Sequence, residues 1–170
     1  MYKLLSGLGL VMLVVLAAGG LSRADDGEEK VAIDKLPKAV TEALKAKYLK
    51  WELVEAVKVT ENGEVTYEVT IKNKKQELDV TLTPEGKIVQ VEKEIEVKDV
   101  PKVVKDAVKK KYPQAKIQGA SEISKDDKVA EYELDVVTKD KKNLYVTFDK
   151  EGKFIYEEEV EEPPKDKKDK

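Results

Sequence analysis

Residues 36–48 read LPKAVTEALKAKY, and residues 100–112 read VPKVVKDAVKKKY, nearly the same phrase 64 positions later. In the first, Leu36, Val40, Ala43, Leu44 and Tyr48 recur at helical spacing; in the second, Val100, Val104, Ala107, Val108 and Tyr112 take the same places. Each stretch therefore reads as a helix with one apolar stripe and a lysine-rich opposite side. Pro37 and Pro101 fall in the first turn, where a missing N–H costs nothing. Asp34 and Asp99 stand just ahead as candidate caps. Pro113 helps stop the second helix, where the first copy has Leu49.

The correspondence continues past the helices. Tyr67-Glu68-Val69 matches Tyr132-Glu133-Leu134 at offset 65, and LTPEGKI from Leu82 matches FDKEGKF from Phe148 at offset 66. The growing offset reads as single insertions placed in turns, which tolerate them. A period this long means two copies of one supersecondary unit. After each helix the apolar period changes to two. Val65, Tyr67, Val69 and Ile71 alternate with Thr66, Glu68, Thr70 and Lys72, as half-buried antiparallel strands do. Asn62-Gly63 is a two-residue hairpin signal, and Gly86 and Gly152 close turns that favour positive φ. The strands are expected near 53–60, 65–72, 76–83 and 87–97, then 116–123, 129–138, 143–149 and 153–161.

The fold class expected is α+β, with two tandem units of a helix plus a four-stranded antiparallel meander, covering 33–97 and 98–160. The two can fuse edge to edge into one continuous eight-stranded sheet with both helices on one face, which hides two strand edges. Residues 25–32 and the charged tail 161–170 are expected to be disordered.

Residues 1–24 carry Lys3, an apolar run from Leu4 to Leu21, and small residues at Ser22 and Ala24. That is the pattern of a secretory signal peptide cleaved after Ala24, with an uncleaved membrane anchor as the alternative. A periplasmic or secreted location follows, with no membrane contact after cleavage. From Asp25 onward 30 lysines face 35 acidic residues, and no arginine remains. A net acidic surface without the planar guanidinium fork argues against nucleic acid and anionic lipid as partners. The chain has no cysteine and no histidine. It must hold together by its core alone, and it lacks the commonest general base and metal ligand.

Little else points to a reaction. Ser121 and Ser124 have only Lys125 or Lys128 nearby as a base, with no Gly-rich elbow. Carboxylates alternate with threonine and lysine on what should be a solvated sheet face. Neither SKDDK nor DKEG follows the spacing of a calcium loop. No catalytic residue, cofactor or metal ligand is expected, and the chain reads as a non-enzyme. Trp51, whose counterpart is Ala115, reads as a plug between helix and sheet, with a partner anchor as the alternative. Tyr48, Tyr67, Tyr112 and Tyr132 take inward positions. Tyr145 and Tyr156 fall out of phase with the inward set and are recognition candidates, together with the hairpin tips Asn62, Asp126 and Asp127.

The phrase LPKAV…AL…KY, followed by TYEVTI and VTLTPEGKIV, resembles the PepSY-like, β-lactamase-inhibitor-like family of exported bacterial proteins. The second copy is similar through VPKVV…AVKKKYPQAKI, AEYELDV and LYVTFDKEGKF. The first departs at Tyr48-Leu49-Lys50-Trp51. The resemblance implies a tandem helix-plus-meander fold, export and no catalysis. The function expected is a binding or inhibitor-like module contacting an exported protein, such as a hydrolase, through its open sheet face or hairpin tips. The alternative is a periplasmic protein that binds a small ligand or a cation such as calcium.

Overall fold

The computed structural model describes residues 27–74 and 76–160. The expected signal peptide and charged tail lie outside the described residues. The elements are β1 (Gly27–Lys30), α1 (Lys38–Lys47), β2 (Glu52–Glu61), β3 (Glu64–Asn73), β4 (Gln76–Leu82), β5 (Ile88–Ile95), α2 (Lys102–Lys111), β6 (Lys116–Lys125), β7 (Lys128–Val137), β8 (Asn143–Asp149) and β9 (Phe154–Val160). All nine strands form one antiparallel sheet in chain order. The copies meet where β5 pairs with β6, from Val91 opposite Ser124 to Ile95 opposite Ala120. The sheet is therefore continuous, with nine strands rather than eight.

The additional strand is β1, which lies in the segment expected to be disordered. Its sequence, GEEK, buries nothing. It is a strand because it pairs with β2, from Gly27 opposite Thr60 to Lys30 opposite Val57. Backbone hydrogen bonds satisfy an open edge without any apolar pattern.

Each helix seals its stripe onto apolar strand positions. Leu36, Val40 and Leu44 cluster with Ala56, Val69, Ile71, Val80 and Leu82. Val100, Val104 and Val108 cluster with Ala120, Leu134, Val136, Val146 and Phe148. Trp51 packs on the first cluster, edge-on to Tyr48 at 5.9 Å between ring centres. In the second copy Ala115 leaves that space, and the aromatic bulk comes instead from Phe148 and Phe154, edge-on at 5.7 Å. Tyr67, Tyr112 and Tyr132 also pack on the clusters.

Two local expectations are corrected. Asp34 and Asp99 do not cap: each sits in a short 3-10 turn, and Pro37 and Pro101 are the residues that precede α1 and α2, without side-chain caps. The first inserted residue is not in a turn. It is Ala130, bulged between the pairs Ile123–Glu131 and Ser124–Val129. A β-bulge absorbs one residue without shifting the register beyond it. Its carbonyl accepts a hydrogen bond from Lys150 N at 3.0 Å.

The turns behave as read. Asn62 (φ 51°) and Gly63 (φ 82°), and Asp126 (φ 50°) and Asp127 (φ 58°), form mirror-image hairpin turns. Gly86 and Gly152 have φ of 85° and 83°. Both also lie against a helix. A Cβ at Gly86 would stand 2.5 Å from the Ala39 carbonyl oxygen, and one at Gly152 3.0 Å from that of Val103.

Candidate functional site: the second face of the sheet

Strand residues alternate between faces, so those between the cluster residues point away from the clusters. One row crosses the sheet as Glu55, Thr70, Asp79 and Glu92, then Ile123. A second runs Lys30, Val57, Glu68, Thr81 and Gln90. A third runs Ser121, Glu133, Thr147 and Tyr156.

A flat, solvated face would leave these side chains exposed. Instead Val57, Gln90, Ile123, Glu133 and Thr147 are all between 1% and 5% exposed. Glu68 and Glu133 stand four strands apart, about 19 Å on a flat sheet at roughly 4.8 Å per strand. Even so, the Glu133 charge helps to raise the Glu68 pKa. Burial of these five side chains on the side away from both helix clusters points to a sheet that curves toward this side, forming a recess.

Charges at the periphery are paired. Lys30 meets Glu55 at 2.7 Å, Lys72 meets Glu77 at 3.1 Å, and Lys125 meets Glu131 at 2.6 Å. The inner carboxyls have hydroxyl partners. Thr70 donates to Asp79 at 2.6 Å, Tyr156 donates to Glu133 at 3.2 Å, and Ser121 hydrogen-bonds Glu92. Among the described residues no lysine forms an ion pair with Glu68, Asp79, Glu92 or Glu133. The buried Gln90 Oε1, beside Glu92 on the same strand face, has no hydrogen-bond partner among them.

Burial without a cation raises these acids. Glu68 is pushed up to about 7, first by desolvation and then by the charges of Asp79, Glu28, Glu133 and Glu55. Glu92 is pushed up to about 8 by desolvation and then by Glu133, partly offset by the Ser121 hydrogen bond. Burial also raises Asp79, against the Thr70 hydrogen bond, and Glu133, against that from Tyr156. At neutral pH the recess thus holds carboxylic acids as well as carboxylates. Strongly perturbed titration marks a candidate site.

Among the described residues no group of three or more Asp or Glu side chains is placed to hold a metal ion. Tyr145 and Tyr156 lie on this face, and burial followed by the neighbouring carboxylates raises both phenols. Asn62, Asp126 and Asp127 stay at hairpin tips. Asp127 pairs there with Lys47 of α1, tying the second copy's hairpin to the first copy's helix. Glu68, Asp79, Gln90 and Glu92 are the residues that sequence reasoning passed over. Their alternation with Thr reads as solvated surface, and the curl that buries them leaves no local signal.

The model of the family described as "Putative beta-lactamase-inhibitor-like, PepSY-like" matches residues 25–90 and 85–156. Similar solved structures include a DUF2874 family protein from Bacteroides uniformis, with 16% identity, TM-score 0.59, and coverage of 73% of this chain and 89% of that one. A "putative periplasmic" protein from Bacteroides eggerthii has 15% identity, TM-score 0.58 and coverage of 73% and 88%. A BLIP-like protein from Bacteroides fragilis has 18% identity, TM-score 0.54 and coverage of 75% and 89%. These similarities are similarities of fold. No curated protein matches the chain by sequence.

Proposed function

Because the chain belongs to the PepSY-like, β-lactamase-inhibitor-like family, we propose that it is an exported, non-catalytic module that holds a protein partner against the concave face of its sheet. The observation that carries this reading is the burial of Gln90, Glu133 and Thr147 on the side of the sheet away from both helix clusters. Val91 packs on the first helix cluster and Ile95 on the second. The two lie four residues apart on β5, in unbroken register with β6, and so share one face. This supports both helices on one side and an open second side. A periplasmic location draws support from the structural relative described as periplasmic and from the signal-peptide pattern of residues 1–24. The tyrosines Tyr145 and Tyr156 would line the contact, with the tips Asn62, Asp126 and Asp127 at its margin. Calcium binding has less support, because among the described residues no group of three or more acids is placed to hold a metal ion.

The test is capture from a periplasmic extract on the immobilised chain from Asp25 onward. A partner bound to the recess should be retained by the wild type and by a helix-side variant, Lys45→Glu. It should be lost with Thr70→Lys/Thr81→Lys. Equal retention by all three would contradict the assignment of the face.

A further inference from the structure

The recess is rich in acids, and the hydroxyl donors of Thr70 and Tyr156 are already committed to Asp79 and Glu133. Four acids on β3, β4, β5 and β7 share this face without a lysine ion-pair partner among the described residues, while Lys30, Lys72 and Lys125 are held by acids at the rim. Beside Glu92, the Gln90 carbonyl oxygen is buried with no donor, an arrangement that is costly unless something supplies one. What fits is a donor-rich cation. A bare metal ion does not fit, because a hard cation needs about six oxygens at close range, and the described residues provide no cluster of that kind.

We infer that the recess receives the guanidinium of an arginine carried by the protein partner, an inference that rests on the reading of this face as the partner surface. Guanidinium presents five N–H donors in a plane, is more weakly hydrated than ammonium, and can bridge acceptors spread over adjacent strands. A second copy of the mature chain cannot supply it, since no arginine follows Arg23. Glu68 and Glu92 keep protons in the empty recess. A cation that enters favours their ionised forms, so binding releases protons and strengthens as pH rises. The groups that set this response are Glu28 of β1, Glu55 of β2, Asp79 of β4, Glu133 of β7 and Glu158 of β9.

The test titrates the chain from Asp25 with acetyl-Gly-Gly-Arg-Gly-Gly-amide, followed by amide NMR shifts at pH 6 and pH 8. Peptides with lysine or citrulline in place of arginine serve as comparisons. Saturable shifts centred on Glu68, Gln90, Glu92 and Glu133 are expected, with binding about tenfold tighter at pH 8 and about tenfold weaker in Glu92→Gln or, independently, Glu68→Gln. The variant Glu159→Gln, on the helix side of β9 opposite Leu144 and paired with Lys142, should bind as wild type. Absence of saturable shifts in the recess, or equal binding of the lysine or citrulline peptide, would overturn the inference. A partner captured in a face-dependent way but indifferent to Glu68→Gln and Glu92→Gln would overturn it while leaving the binding face standing. If no capture depends on the face, the proposed function fails first.

Discussion

Val69, Ile71 and Val80 in the first copy hold the places that Leu134, Val136 and Val146 hold in the second, while Thr70, Asp79 and Gln90 correspond to Asp135, Tyr145 and Tyr156. Toward the helices the duplicated unit keeps its chemistry and adjusts only volume, as when Trp51 gives way to Ala115 and Leu82 to Phe148. Toward the recess it changes charge, size and hydrogen-bonding class. Packing on a helix demands apolar groups of roughly fixed total volume. Neither helix cluster includes the recess residues, so that constraint does not act on them. Glu68 and Glu133 are an exception. They are the same residue at the same place in each copy, and the curl brings one within the field of the other.

The glycine turns separate the copies most strongly. Gly86→Ala would force a Cβ into the α1 backbone at a positive φ, whereas the same change at Gly152 meets a looser contact. Chemical denaturation should show a loss of about 3 kcal/mol for Gly86→Ala and about 1–2 kcal/mol for Gly152→Ala. Equal losses would mean that the two turns dock alike.

The recess should show itself in the dependence of stability on pH. Glu68 and Glu92 titrate near their ordinary 4.5 when unfolded but at about 7 and about 8 when folded. The folded chain therefore binds more protons across that window, so stability is greatest near pH 4.5 to 5 and falls toward pH 8. Thermal unfolding should show Tm declining over this range, with a flatter profile in Glu68→Gln and in Glu92→Gln. A rise of Tm with pH would contradict the burial of these acids. The smallest effect concerns the link between copies. The Lys47–Asp127 pair is largely exposed, so a double-mutant cycle with alanine should give a coupling of about 0.2–1 kcal/mol, falling with added salt.

Helices, hairpins and register were legible because they rest on local rules. The stripe from Leu36 to Tyr48, the Asn62-Gly63 turn and the Val65 to Ile71 alternation each specify their own element. β1 was illegible because GEEK has no pattern, and it orders only against the edge of β2. The Ala130 bulge was hidden because an inserted residue looks the same in a strand as in a turn. The recess was only half visible. Tyr145 and Tyr156 stood out by phase, but the acids beside them looked solvated. Their burial comes from curvature accumulated over many strands, which no single strand encodes.

Carbon-detected NMR titration of the glutamate carboxyl groups in the folded chain would probe that curvature most directly. The recess predicts that Glu68 and Glu92 change ionisation at about 7 and about 8, while Glu157, bonded to Tyr112 and Lys111, does so below the ordinary glutamate value. Titration of Glu68 and Glu92 near 4.5, together with the surface acids, would mean an open, solvated face and would contradict the recess on which the binding assignment stands.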